Sequence, residues 1–195
     1  AGRGLGVEAA LAFAARQVDR IAGVIGRSGD ATDTVQVENL RNLPLFFAGA
    51  GAKATALEDA AKKLGYDIVQ RKDDATEADI WSWVMAHPRV ANPTEVVLYP
   101  AAPSFLRSYW LEAVPTDATG AVYMKGKIDK ASNTITIEGE GITKFVILMN
   151  DAMVDLDKPV KVVANGSDVS RTIPRSLPRA LDFIAGAKND PGKFY

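Results

Sequence analysis

The chain of 195 residues is 47% hydrophobic and 24% charged, with a net charge of −1 and no cysteine. That balance is ordinary for a globular protein. It excludes disulfides, thiolate metal sites and cysteine nucleophiles, and its scattered basic residues give no electrostatic footprint for nucleic acid. No apolar run approaches the roughly 20 residues that a membrane span requires.

Taken in chain order, the first hundred residues alternate between helical and extended signals. Gly2-Arg3-Gly4-Leu5-Gly6 opens onto a small-residue helix, Val7 to Arg16, and the strand that should feed such a turn is expected to be absent. Ile21 to Ile25 is a short apolar run, followed by a polar loop to about Thr34. Leu43 to Ala48 is a second buried run. Thr55 with Glu58 three residues on reads as a capping box, and Leu57, Ala60, Ala61 and Leu64 form one apolar face that Gly65 closes. Asp67 to Gln70 is a third strand. Thr76 and Asp79 predict another cap, before a helix carrying Ile80, Trp81, Trp83 and Val84 that stops at Pro88. Thr94 to Tyr99 is a fourth strand. Strands separated by helices predict a parallel sheet with helices on both faces.

Past Pro100-Ala101-Ala102-Pro103 the period changes from 3.6 to 2. Val122-Met124-Gly126-Ile128, Thr134 to Glu138 and Val160 to Val163 alternate, with turn signals at Ser132-Asn133 and Asn165-Gly166. This predicts a β-rich antiparallel module ending in a helix, Leu177 to Ala187. The expected division is residues 1–100 and 101–195.

The chemistry-bearing patterns are few. The opening turn matches the G-x-S-x-G turn that lifts a nucleophilic serine from between a strand and a helix, except that its centre is Gly4, which has no side chain to attack with. Ser28, in Gly26-Arg27-Ser28-Gly29-Asp30, is the nearest substitute and reads as a loop serine after a strand. His87, the one histidine, sits at a predicted helix C-terminus, where a cation meets the helix dipole favourably. Gly49-Ala50-Gly51-Ala52-Lys53-Ala54 satisfies G-x-G-x-x-A, with Asp73 or Asp74 at the distance of a ribose-binding acid. Asn150, Asp151, Asp155 and Asp157 form an acidic patch without the glycine and terminal Glu of a Ca²⁺ loop, which reads as a turn. Asn165-Gly166-Ser167 matches a glycosylation acceptor but is accounted for as a hairpin turn. Trp81, Trp83, Tyr109 and Trp110 read as core and interdomain packing.

In order, these elements resemble the second half of the α/β-hydrolase fold. Asn42-Leu43-Pro44-Leu45-Phe46-Phe47, Asn92-Pro93-Thr94-Glu95-Val96-Val97, Tyr109-Trp110-Leu111, Asn133-Thr134-Ile135-Thr136-Ile137 and Val154-Asp155-Leu156-Asp157-Lys158-Pro159-Val160 are similar to bacterial esterase or peptidase-like hydrolases with a β-rich tail. The resemblance covers nearly the whole chain and implies a partial α/β-hydrolase-type parallel sheet. It slightly favours a periplasmic or secreted location. The family's chemistry needs Ser, then an acid, then His. Gly4 occupies the first matching position, Gly49 to Ala54 carries no carboxylate, and Gln70 to Ala75 carries no His. The expectation is therefore a non-catalytic hydrolase-like protein with a structural or binding role in an assembly, without cofactor or metal. Further polypeptide, from a missing N-terminal half or from a partner chain or second copy, would pack on residues 2–25. Two alternatives stay open: an active serine hydrolase with catalytic residues partly supplied elsewhere, and dinucleotide binding at Gly49–Ala54.

Overall fold

A computed structural model describes residues 1–29, 36–49, 52–99, 106–115, 123–170 and 174–187. The chain divides into two compact units, Ala1–Val90 with Val97–Ser108, and Ala91–Val96 with Tyr109–Tyr195.

In the first unit, β1 (Gly2–Arg3) leads through Gly4 and Leu5 into α1 (Gly6–Arg16). Then come β2 (Val24–Arg27), β3 (Leu45–Ala48), α2 (Ala52–Lys63), β4 (Val69–Arg71) and α3 (Glu77–Ala86), with single 3-10 turns at Val18–Arg20 and Val37–Leu40. The strands form one parallel sheet in the order β1-β2-β3-β4. The strand expected to be absent ahead of the opening turn is in fact present: Gly2 and Arg3 pair with Gly26 and Arg27. Two residues are too few to show any period, which is why the sequence concealed it.

All four residues of β3 are buried, because alternate side chains serve different cores. Leu45 and Phe47 join Val7, Leu11 and Ala14 of α1 and Leu57 of α2. Phe46 and Ala48 join Ile80 and Trp83 of α3. Helices therefore cover both faces of the sheet, as the alternation of elements predicts, with α1 and α2 on one side and α3 on the other.

Helix ends explain two local outcomes. Thr76 caps α3 as expected: its hydroxyl accepts from the Asp79 N–H at 3.2 Å, while the Asp79 carboxylate accepts from the Thr76 N–H at 2.8 Å. Thr55 does not cap α2, which begins three residues earlier at Ala52. Ala52 and Ala54 are the strongest helix formers available, so nothing holds the start back to Thr55. The freed Thr55 hydroxyl accepts from Arg71 instead, and Glu58 pairs with Lys62 at 2.6 Å. At the other end, Gly65 at φ +75° lets the Gly65 and Tyr66 N–H groups return to the Lys62 and Ala61 carbonyls, a Schellman closure.

Between the units in sequence run β5 (Glu95–Leu98), which enters both, and the short β6 (Arg107–Ser108). The second unit adds β7 (Leu111–Pro115), β8 (Tyr123–Asp129), β9 (Thr134–Glu140), β10 (Ile142–Ile147), β11 (Lys161–Ala164), β12 (Ser167–Asp168) and α4 (Leu177–Ala187). Its larger sheet runs β12-β11-β9-β8-β5, and β10 pairs antiparallel with β7. The β8–β9 hairpin turns at Asn133, and the β11–β12 hairpin turns at Asn165-Gly166, where φ values of +46° and +80° suit a tight primed turn. Met124, Ile128, Ile135 and Ile137 supply the buried face that their alternation predicts.

Two expectations change here. The second module is mixed rather than purely antiparallel, because β11 runs parallel to β9. The strand at Thr94 to Tyr99 does not extend the parallel sheet. It lies at the edge of the other one, where the Thr94 carbonyl accepts from Ile128 N–H and Glu95 pairs with Lys125 at 3.1 Å. An apolar run marks a strand buried on both sides without saying in which sheet.

Candidate functional site

The C-terminal ends of four parallel strands make one rim, the place where open α/β sheets bind ligands. At its first position, β1 turns through Gly4 at φ +57° into α1. The Gly4 N–H donates to the Arg27 carbonyl at 3.1 Å, and its own carbonyl accepts from Val7 N–H at 3.1 Å. Leu5 takes the N-cap position without any side-chain cap. Strand and helix cross so closely that a Cβ on Gly2 would stand 2.6 Å from the Val7 nitrogen and overlap the Gly6 carbonyl. One on Gly29 would overlap the Gly4 carbonyl. A Cβ on Gly4, by contrast, would meet no atom within 4 Å. The turn therefore holds position 4 up into open space in a left-handed backbone, and glycine puts nothing there.

The neighbouring strand ends follow the same pattern. Ser28, exposed after β2, has φ +49°, and its N–H donates to the Ala48 carbonyl at 2.9 Å. Gly49, after β3, has φ +64°. Lys72, after β4, donates its N–H to the Phe47 carbonyl at 2.9 Å. Left-handed backbone at a non-glycine residue is uncommon and concentrates at functional positions. Two ion pairs dress this end of the sheet, Arg27 with Glu77 at 2.6 Å and Lys72 with Asp79 at 2.8 Å. The Lys72 ammonium, followed by the Thr76 backbone and hydroxyl, pulls the Asp79 carboxyl down to about 2.

The structure does not bring the one histidine to this rim. His87 is the C-cap residue of α3, its ring stacked on Trp83 at 4.5 Å and its Nδ1 bonded to the Trp83 carbonyl at 2.7 Å. It lines a groove with Pro44 and Asp67, which precede β3 and β4. Glu77 at the start of α3 pairs with Arg27 at the end of β2, whereas Trp83 near the end of α3 lies against Gly23 ahead of β2, so His87 lies toward the opposite end of the strands from Gly4 and Ser28.

Of the other candidate positions, Gly49–Ala54 is interrupted because residues 50 and 51 lie outside the described ones; Gly49 and the start of α2 flank them. Asp73 and Asp74 form a turn just after β4. In the acidic patch Arg175 bridges Asp151, through two bonds of 2.9 and 2.7 Å, and Asp157 at 3.0 Å. Asp155 pairs with Lys158 at 2.7 Å, and the Asn150 side chain accepts from the Ala152 and Met153 N–H groups, so the patch is an internally bonded turn. Both pairings hold the Asp151 and Asp155 carboxyls below their ordinary range. Among the described residues no cluster of three or more His, Cys, Asp or Glu is placed to hold a metal ion, and no helix is long and apolar enough to cross a membrane. The Asn165 side chain is engaged with both backbone groups of Gly139. Trp83 and Trp110 are core residues as read, whereas Trp81 lies exposed on α3.

Sequence reading missed the groove beside His87. It measures about 660 Å³ and is lined from three separate stretches of the first unit, 41–44, 67–71 and 83–90, among them Arg41, Ile68, Arg71, Trp83 and Val90. No local motif joins those segments, so only the folded chain displays them together.

No family model matches this chain, and no curated protein or solved structure matches it either.

Proposed function

We propose that this chain is a non-catalytic protein of α/β-hydrolase type, with a structural or binding role in an assembly. The observation that carries the reading is the opening turn. It has the tight strand-to-helix crossing and left-handed apex of a nucleophile turn, with Gly4 where the nucleophile would stand. The position of His87 supports it further, since a serine at this rim would lack the base that activates it. The consecutive order of the parallel strands, with a helix after β1, β3 and β4, is in keeping with the same origin.

The assembly half of the proposal rests on α1 and β1. β1 stands at the end of the parallel sheet with β2 as its neighbour. Beside it, Leu5, Ala9 and Phe13 form an exposed stripe at helical spacing, Leu5 86% and Phe13 61% exposed. An apolar stripe of this kind next to a strand edge suits further polypeptide packing on residues 2–25.

A fluorophosphonate probe and short-chain nitrophenyl esters test the catalytic half. The expected result is no labelling and no turnover above that of a heat-denatured sample. Stoichiometric labelling of Ser28, the rim serine whose backbone is left-handed, would instead establish the serine-hydrolase alternative.

A further inference from the structure

We propose that Asn165 is a site of deamidation in this chain, and that a side-chain clamp to Gly139 gates the reaction. This does not rest on the reading of the opening turn, since it concerns the β11–β12 turn alone. Asn165-Gly166 is the one Asn-Gly pair in the sequence. The nitrogen after the asparagine must act as nucleophile, and glycine screens it least because it has no Cβ. The turn is open as well: both residues are exposed, and a Cβ on Gly166 would meet no atom within 4 Å. The other described asparagines are worse placed. Asn92 precedes Pro93, whose nitrogen has no proton to lose, and Asn133 precedes the β-branched Thr134. Asn39 and Asn150 are buried, and Asn42 precedes the buried Leu43.

The step needs only water. The Gly166 nitrogen loses its proton to solvent and bonds to Asn165 Cγ. The Cγ–Nδ2 bond breaks, and Nδ2 takes up a proton and leaves as ammonia, closing a five-membered imide. Water then opens either ring carbonyl–nitrogen bond, giving aspartate or isoaspartate.

Two hydrogen bonds restrain that attack. The Gly139 N–H donates to Asn165 Oδ1 at 2.9 Å, and Asn165 Nδ2 donates to the Gly139 carbonyl at 3.0 Å. The pairing of β11 with β9 ends at Ala164 and Ile137, and the Asn165 N–H donates to the Ile137 carbonyl at 2.9 Å. The side-chain amide therefore stands in for one more peptide group, carrying the ladder a step past the end of β11. For the Gly166 nitrogen to reach Cγ, the amide must swing off Gly139 and over its own backbone, so both bonds open first. The product restores only half of the clamp. A carboxylate accepts but has no N–H to give, so an anionic oxygen would face the Gly139 carbonyl, which Glu138 and Glu140 flank in sequence. Conversion thus loosens the β11–β12 turn from β9.

The test incubates the full chain, native and unfolded in guanidinium chloride, in the same mildly alkaline buffer. Conversion is followed by peptide mapping with mass spectrometry and isoaspartate labelling. Unfolded, Asn165 should convert before any other asparagine. In the native chain it should convert about thirtyfold more slowly, the factor for opening two hydrogen bonds. Hydrogen exchange of the Gly139 amide reads the same opening, so its protection should match that factor. Converted chain separated by ion exchange should show faster exchange of the amide at position 165. Equal native and unfolded rates, earlier conversion of another asparagine, a retardation far from the Gly139 protection, or unchanged exchange at position 165 would overturn the proposal.

Discussion

Three alanine substitutions at the opening turn separate its packing from its empty apex. At Gly2 the new Cβ would stand 2.5 Å from the Gly6 carbonyl carbon and 2.6 Å from the Val7 nitrogen. Both are backbone atoms, so neither can rotate away and the start of α1 must lift off β1. At Gly29 the Cβ would overlap the Gly4 carbonyl and stand 2.8 Å from a Val7 methyl. Overpacking costs about 1–3 kcal/mol, and a clash of backbone with Cβ belongs at the upper end. At Gly4 nothing lies within 4 Å, and the cost is that of an L-residue at φ +57°. That is about 1–2 kcal/mol, reduced by roughly 0.4–1 kcal/mol because alanine also restricts the unfolded chain. Gly4→Ala should therefore cost about 1 kcal/mol and Gly2→Ala about 3. Urea denaturation followed by circular dichroism measures the difference. In melting temperature it amounts to roughly 5 °C against 15 °C for a unit of about a hundred residues. If Gly4→Ala destabilises as much as Gly2→Ala, position 4 does not project into open space, and the comparison with a nucleophile turn fails with it.

Three further outcomes follow from the same geometry. The depressed Asp79 carboxyl contributes stability that is present above the ordinary carboxylate range and lost as pH falls through that range toward about 2; Asp79→Asn should flatten this acid limb of a pH–stability curve, and an unchanged limb would remove Asp79 from the account. Asn39 is buried, accepting from the Tyr99 N–H and donating to the Tyr99 carbonyl, both at 2.7 Å. Asn39→Ala should cost about 2–3 kcal/mol by stranding those groups, read as a lower urea midpoint at constant slope, whereas a change under about 0.5 kcal/mol would show that water replaces them. Leu5→Glu combined with Phe13→Glu should shift stability by less than about 0.5 kcal/mol, as exposed positions do, while abolishing any self-association seen by light scattering; a large loss of stability would mean that the stripe is packed within the chain.

What the sequence disclosed and what it concealed divide along the range of the interaction. The α3 cap at Thr76 and Asp79, the Asn165-Gly166 turn, α4 and the alternating β8 and β9 are each decided within a few residues, and each is found in place. β1 is too short to show a period, and β5 carries a buried-strand signature that names no sheet. The start of α2 lies ahead of its cap signal because Thr55 and Glu58 have the cap spacing while Ala52 and Ala54 carry the helix further back. The groove is built from residues up to Val90 that share no motif, so charge and shape there emerge only from the fold.

On the proposed reading, the opening turn keeps a motif whose chemistry is gone. Gly2 and Gly29 are required by the approach of β1, α1 and the end of β2, and that requirement is the same whether or not a nucleophile stands between them. Position 4 is different: its backbone is held left-handed by bonds to Arg27 and Val7, but its side chain is asked for by no packing neighbour. Replacing a nucleophile by glycine there removes chemistry and relieves left-handed strain at no cost in contacts. Glycine spacing in such a turn therefore reports how strand and helix cross. Only the residue at the apex, and a base within reach of it, report on catalysis, and here the apex is Gly4 while His87 lies at the far end of the strands.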